Sequence, residues 1–585
     1  MTRLFLAFAL ACLSGVSSAA DVPAPLGTRA PDFTLPDPVA NKPWATADVP
    51  KDAKAVVVAF VCTGCPVSNA YLPRLAALHK QFAPDGVAFV AVNSHPADTA
   101  ADVAVHAKQY PLPFPTLKDA DGKIAARLNV DRVPAVVVLD AGRMVRYAGR
   151  IDDQFAPGVH RGNATTHELR NAIDAVVEGR AVTTPAVPAA GCRLGHDAPV
   201  VPAAVTYHKE VARVIQAKCQ ECHRPGEAAP FALMTYPQAK GWAGMIREVV
   251  ADGVMPPWHA DAPRGHFAND RRLSDADKQT LIAWVDAGCP EGNPADAPPA
   301  KTYASGWRLG REPDVVVKMA KPVSVPAQFL MGAIGMPYQY VKGDKAFAED
   351  TWVEGVEVRP DLRGVTHHII VYTVPAGTRL RDLAKDDGFA RHMLAAFVPG
   401  DAPHLFPKGM AKKIPKGASL IFEVHYTPNG TAGVDTSSVG LLVAKAPPKY
   451  EIKTDTSLNG RLSIPPGAAN HSVAGSRLEY DRPVTLLSFT PHMHVRGKAF
   501  WFDLVTADGT RTNLLRVPKY DFNWQVAYEL AEPVVMPAGA HIECVAWYDN
   551  SAANPTNPDP TKTVRWGQQT WEEMMLGFVE YYVER

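Results

Sequence analysis

The chain has 585 residues, 47% hydrophobic and 21% charged, an ordinary globular composition with material for three or four folded units. Lysine plus arginine and aspartate plus glutamate balance at 60 each, so no charged field points to nucleic acid or an anionic membrane surface as partner. The 53 prolines favour β-rich domains and stiff connections over long helices.

Residues 1–20 read as a secretory signal: Arg3, the apolar run Leu4 to Leu13, then Ser18-Ala19-Ala20 before Asp21. That run is too short to anchor in a bilayer, and no later segment is long and apolar enough to span one. A periplasmic or extracellular protein without a membrane span is expected. Seven cysteines then remain (Cys62, Cys65, Cys192, Cys219, Cys222, Cys289 and Cys544), an odd number for an oxidising compartment.

Residues 21–180 alternate strand-like and helical text. Ala55 to Val61 is a buried-strand run, Tyr71 to Phe82 has helical spacing, and Val87 to Val92 and Ala135 to Leu139 are further strands. An α/β domain is expected. Cys62 and Cys65 form a CxxC motif at the start of the helix, where the helix N-terminus lowers the Cys65 thiol pKa. The small-residue, proline-bearing stretch Ala181 to Ala189 opens a linker, residues 181–205.

Residues 206–300 read as a small all-α domain, with helical spacing over Glu210 to Cys219 and Lys278 to Ala287. Between these lies Cys219-Gln220-Glu221-Cys222-His223, a CxxCH motif. Its two thiols suit covalent attachment of one haem c, with His223 beneath the iron. Met255, on a proline-stiffened segment, is the favoured sixth ligand, with His259 and Met234 as rivals. Cys192 and Cys289 flank this domain and are a candidate disulfide.

After the proline-rich Pro294 to Ala300, short β-branched and aromatic runs such as Ala418 to Tyr426 and Val484 to Phe489 predict antiparallel sandwiches over 301–449 and 450–585. This region holds His367-His368, His425, His492-Met493-His494 and Glu573-Met574-Met575. Imidazole and thioether together suit copper. His492 and His494 would share one face of a strand, whereas adjacent His367 and His368 can share an ion only at a bulge or strand end.

The order HH, HYTP, HxH, EM over roughly residues 310 to 585 resembles the copper type II ascorbate-dependent monooxygenases, the peptidylglycine α-hydroxylating and dopamine β-monooxygenases. The resemblance implies two jelly-roll-like β-sandwich subdomains with two copper ions across a solvent-filled gap. His367, His368 and His425 would hold one ion, and His492, His494 and Met574 the other. Met575 falls one position after the EM pair. It also implies a small-molecule or peptide substrate, O₂, and an external donor that is an ascorbate-like reductant or another redox protein. Cys544 is the lone cysteine there, so the family's internal disulfides cannot form.

Residues 25 to 180 resemble thioredoxin-like redoxins through Ala30-Pro31-Asp32-Phe33, Cys65-Pro66, Leu72-Pro73 and Val133-Pro134. That resemblance places Cys65 as nucleophile and Ser68 where the resolving cysteine belongs. The stretch from Cys219 through Met255 to the Trp284 helix resembles the small cytochrome c domains of bacterial multidomain oxidases.

Overall fold

The computed structural model describes residues 26–195, 204–263, 265–327, 336–378 and 391–584. The signal read at residues 1–20 lies outside the described residues, as do positions 196–203 of the linker. Among the described residues no helix is long and apolar enough to cross a membrane.

The first domain is thioredoxin-like. Its central strand, Ala55–Val61, is buried at every position, as an apolar run covered on both faces must be. It pairs in parallel with Val87–Asn93 and antiparallel with Ala135–Asp140. Thr116–Lys118 and Val145–Gly149 extend the sheet on either side. The helix Pro66–Phe82 starts five residues earlier than its apolar spacing predicts, because Cys65 serves as N-cap and Pro66 as a ready-made first residue. Pro73 is accommodated inside it.

The stretch expected to be a linker is partly structured. Ala186–Val187 joins the edge strand Val145–Gly149 in parallel, and Cys192–Arg193 pairs antiparallel with Arg132–Val133. Val187 and Cys192 carry apolar surface that finds cover on this domain.

Helices follow at Ala212–Lys218, Tyr236–Gly241, Ala243–Ala251 and Asp275–Asp286. They share one continuous core with the first domain, into which Trp242 and the fully buried Trp284 both enter. The segment after Met255 leaves these helices. Trp258, Ala260 and Phe267 pack into the C-terminal core, and Phe267 bridges to Leu530. The domain boundary read near residue 300 is therefore crossed by an inserted arm.

The C-terminal region is β-rich. A nine-stranded sheet runs through both of its halves, continuous because Met410–Ile414 pairs in parallel with Tyr450–Leu458. A four-stranded sheet, including Thr366–Val374 and Ser419–Tyr426, belongs to the first half. A five-stranded sheet, including Gly497–Val505 and His541–Tyr548, belongs to the second. Cys544 is buried in the core of the second half, where its thiol lies against Gly577.

Candidate functional site

Two clusters of chemically active side chains and one CxxCH loop stand out. In the first domain, the central strand ends at Val61 and delivers Cys62, and three residues later Cys65 caps the helix. The Ser68 amide lies 3.4 Å from the Cys65 sulfur and donates to it, while the Ser68 hydroxyl accepts the Cys62 amide at 3.2 Å. The Cys65 thiol lies 3.4 Å from the Val133 carbonyl, beside the cis Val133–Pro134 bond. Beneath the loop, Asp98 accepts from the Thr63 amide and hydroxyl and from Asn93.

A third cysteine completes this centre. Cys192 is opposite Val133 across its short strand pair, and both it and Cys62 lie close enough to Cys65 to shift its ionisation. Burial works to raise the Cys65 pKa, but hydrogen bonds from Cys192, Cys62 and the Ser68 amide outweigh it and hold the thiol well below its usual range. Burial and the Cys65 contact push Cys62 up. The hydrogen bond to Cys65, then burial, pushes Cys192 up. Of the three, Cys65 is the thiol whose ionisation the surroundings favour. The pairing of Cys192 with Cys289 is corrected by this placement, since the β-register that buries Cys192 turns it to Cys65.

The loop also touches the helical region. A Cβ at Gly64 would fall 2.8 Å from the Trp242 ring, which stacks on Phe231 at 3.8 Å between centroids. Phe231 leads to the CxxCH loop, because its carbonyl lies 3.1 Å from His223 Nδ1. That leaves Nε2 as the nitrogen with which His223 could ligate a metal. Cys219 and Cys222 interact with each other, and burial raises both thiols, Cys219 to about 12. This donor set fits a thioether-linked haem. Of the three candidates for the opposite ligand, Met255 is half-buried at the end of the Ala243–Ala251 helix. Met234 follows Leu233, whose amide donates to the His223 carbonyl. His259 lies on the arm bound to the C-terminal core, its backbone meeting the Tyr528 hydroxyl.

The histidine cluster is assembled from several segments. His368 faces His425 across the Thr366–Val374 and Ser419–Tyr426 pair, where the register shifts between Thr366 and His368. This bulge lets adjacent His367 and His368 turn inward together, with their Nδ1 atoms 3.0 Å apart. One nitrogen from each of His367, His368 and His425 falls within 4.8 Å of the others, a spacing that could hold a metal ion.

His492 ends the strand Val484–His492, so His494 is not on the same strand as its spacing predicts. The two rings are nonetheless 5.5 Å apart, because Glu573 pins the turn by accepting the His494 and Arg496 amides at 2.8 and 2.7 Å. Burial pushes the Glu573 carboxyl up to about 7, against the pull of Arg496 and these amides. Met574, next to Glu573 in sequence, is half-buried with its carbonyl accepting from the Tyr548 hydroxyl, whereas Met575 is fully buried in the core with its thioether against Gly475.

The halves meet at the cluster. His368 and His492 ring centroids are 5.8 Å apart, His367 stacks on Phe522 at 4.5 Å, and Thr570 Oγ1 lies 3.1 Å from His425 Nε2. Tyr338 stacks on His425 at 4.7 Å. A cavity of about 70 Å³ lies here, with His368 and His492 in its wall. The continuous sheet and the 2.7 Å Lys412–Glu580 ion pair hold the halves together.

Burial lowers the pKa of all five imidazoles, with His367 and His492 at about 4 and His494 at about 3. Neutral imidazoles are the form that binds metal. His367 Nε2, His368 Nε2, His425 Nδ1 and His494 Nε2 are buried with no hydrogen-bond partner. Such orphaned acceptors fit a soft-to-borderline metal such as copper. Sequence reasoning missed Cys192, Asp98, Phe522, Tyr338 and Thr570, none of which belongs to a motif. The odd cysteine count was the one available signal for Cys192.

Residues 26–148 match the AhpC/TSA family. The thioredoxin-like protein YneN of Bacillus subtilis is 32% identical over 149 residues, which cover 25% of this chain and 78% of that protein. A hypothetical protein of Sinorhizobium meliloti 1021 is 37% identical over 29% of this chain and 92% of its own, with a TM-score of 0.27. An uncharacterized conserved protein of Geobacillus kaustophilus is 31% identical over 29% and 90%, also with a TM-score of 0.27.

Proposed function

The chain belongs, through its first domain, to the AhpC/TSA family, and from that premise we propose an exported multidomain oxidoreductase that couples a thiol–disulfide centre to a copper-dependent monooxygenase. The observation that carries the copper reading is the set of four buried imidazole nitrogens without partners, drawn from both histidine groups. His367, His368 and His425 would hold one ion, and His492, His494 and Met574 a second. Copper held this way would supply one-electron chemistry toward O₂: with two electrons and two protons, the electrons from an external donor, one oxygen atom enters a substrate C–H bond and the other leaves as water.

The protein's own groups do the positioning. Glu573 fixes the turn that presents His494, Gln525 holds His492, and Phe522 and Tyr338 sandwich the first histidine group. The largely apolar cavity beside His368 and His492, lined by Ile370, Ala396 and Phe578, suits a small substrate shielded from water. A haem on Cys219, Cys222 and His223 would accept electrons from a soluble donor, with Cys222 against Gly400 of the copper region.

Oxygen uptake tests this reading. Copper-loaded protein should consume O₂ in a substrate-dependent way that His492→Ala abolishes, whereas copper exchange without hydroxylated product would leave a copper-handling protein. His223→Ala should slow turnover with a protein donor while leaving copper content unchanged.

A further inference from the structure

We propose that Cys192 is the resolving thiol of the redoxin centre, so that the working disulfide joins Cys65 to Cys192. The inference rests on the thiol–disulfide reading of the first domain and names its second cysteine. Position argues first. The Cys192–Arg193 strand lies opposite Arg132–Val133 with Cys192 facing Val133, the residue whose carbonyl the Cys65 thiol meets at 3.4 Å. Both cysteines therefore converge on one backbone position, close enough that each shifts the other's ionisation.

The customary resolving position, three residues into the helix, is Ser68. Its hydroxyl and amide are occupied with Cys62 and Cys65, a structural role without sulfur. Cys62 is the competitor, since it too touches Cys65. The two differ in what surrounds them. Cys62 belongs to the same loop as Cys65 and its amide is tied to the Ser68 hydroxyl, whereas Cys192 arrives on a separate strand opposite Val133, the residue the Cys65 thiol meets. A resolving thiol must reach the Cys65 sulfur from a segment that can move against it, so position selects Cys192. The three sulfurs do not make one metal-sized group, because among the described residues only the His367, His368 and His425 set meets that spacing. Cys65 is the central sulfur and exchanges with one partner at a time.

Cys192 is also held ready. Arg132 donates to the Gly191 carbonyl at 3.0 Å, and Arg132 and Arg193 both pair with Glu248, at 2.7 and 2.9 Å. The short strand thus keeps its place without a covalent bond. In the reaction, the Cys65 thiolate attacks a substrate disulfide R–S–S–R′, forming Cys65–S–S–R and expelling R′S⁻, which takes the Cys192 proton. The Cys192 thiolate then attacks the Cys65 sulfur, closing the Cys65–Cys192 disulfide and releasing RS⁻, which is protonated from water. The dithiol is oxidised by two electrons and the substrate disulfide is reduced to two thiols. An external dithiol regenerates the centre by the reverse exchange.

Oxidised glutathione serves as the probe on the full-length protein, followed by acid quench, alkylation of free thiols and peptide mass mapping. The expected product is a Cys65–Cys192 linked peptide with Cys62 alkylated. In Cys192→Ser the glutathione adduct on Cys65 should persist, resolving at least ~10-fold more slowly than in wild type or Cys62→Ser. A Cys62–Cys65 linked peptide, with Cys192→Ser resolving at the wild-type rate, would overturn the assignment. If all three cysteines remain alkylated and unoxidised, the thiol–disulfide reading falls and takes the assignment with it.

Discussion

The dithiol loop and the histidine cluster are both sealed from water, yet they are assembled in opposite ways. At the loop, one strand end and one helix start place Cys62, Cys65 and Ser68 within seven residues, and only Cys192 arrives from afar. At the cluster, five imidazoles come from strands and turns of two half-regions, and Thr570 reaches His425 across 145 residues. A local site is fixed by turn and cap geometry, so it depends little on neighbouring domains. A non-local site depends on the packing of both halves, so anything that loosens their contact should disperse it.

Acid should separate the two regions most strongly. In copper-free protein His367 and His492 resist protonation down to about 4 and His494 to about 3, whereas the unfolded chain takes up those protons near 6.5. The unfolded state therefore binds more protons in that window. Stability is fully present above about pH 6.5 and falls as pH drops toward 4, by up to ~1.4 kcal/mol per pH unit for each ring. Thermal unfolding at about pH 7.5 and about pH 5 should show the C-terminal region losing stability first, and copper should restore it. Equal loss in both regions would erase the contrast.

Trp242→Ala attacks the other side. Trp242 is buried between Phe231 and Gly64, and truncation should cost about 3–5 kcal/mol of stability in the first core while copper content stays unchanged. Denaturant unfolding paired with metal analysis checks both halves of that statement. Glu573→Gln should weaken copper binding by about 10–100-fold, some 1.4–2.7 kcal/mol, without altering Cys65 alkylation. Competition with a copper chelator reads this directly. Ser68→Ala, which leaves the Cys62 amide without its acceptor, should cost about 1 kcal/mol and leave copper affinity untouched.

The same contrast explains what could be read from sequence. The strand Ala55–Val61 and the CxxC at a helix start are local patterns, and the structure follows them closely. The helix begins before its apolar spacing does, because the Cys65 cap and Pro66 start it ahead of Tyr71. The histidine motifs were visible as residue types. Their convergence was not, because the His367–His368 bulge and the His368–His492 approach depend on pairings between distant strands. Cys192 was hidden for the same reason. It lies in a stretch whose small residues and prolines suggest a linker, and only the Arg132–Val133 pairing turns it to Cys65. The arm carrying Trp258 and Phe267 crossed an expected domain boundary because those large apolar side chains find their cover in the C-terminal core.

Metal content tests the central claim most directly. Full-length protein from a host that attaches c-type haem, supplied with copper, should carry about two coppers per iron. His425→Ala should remove one of them. Folded protein that holds iron but no copper would contradict the account, and would leave the orphaned imidazoles as the packing of a metal-free sandwich beside a redoxin domain.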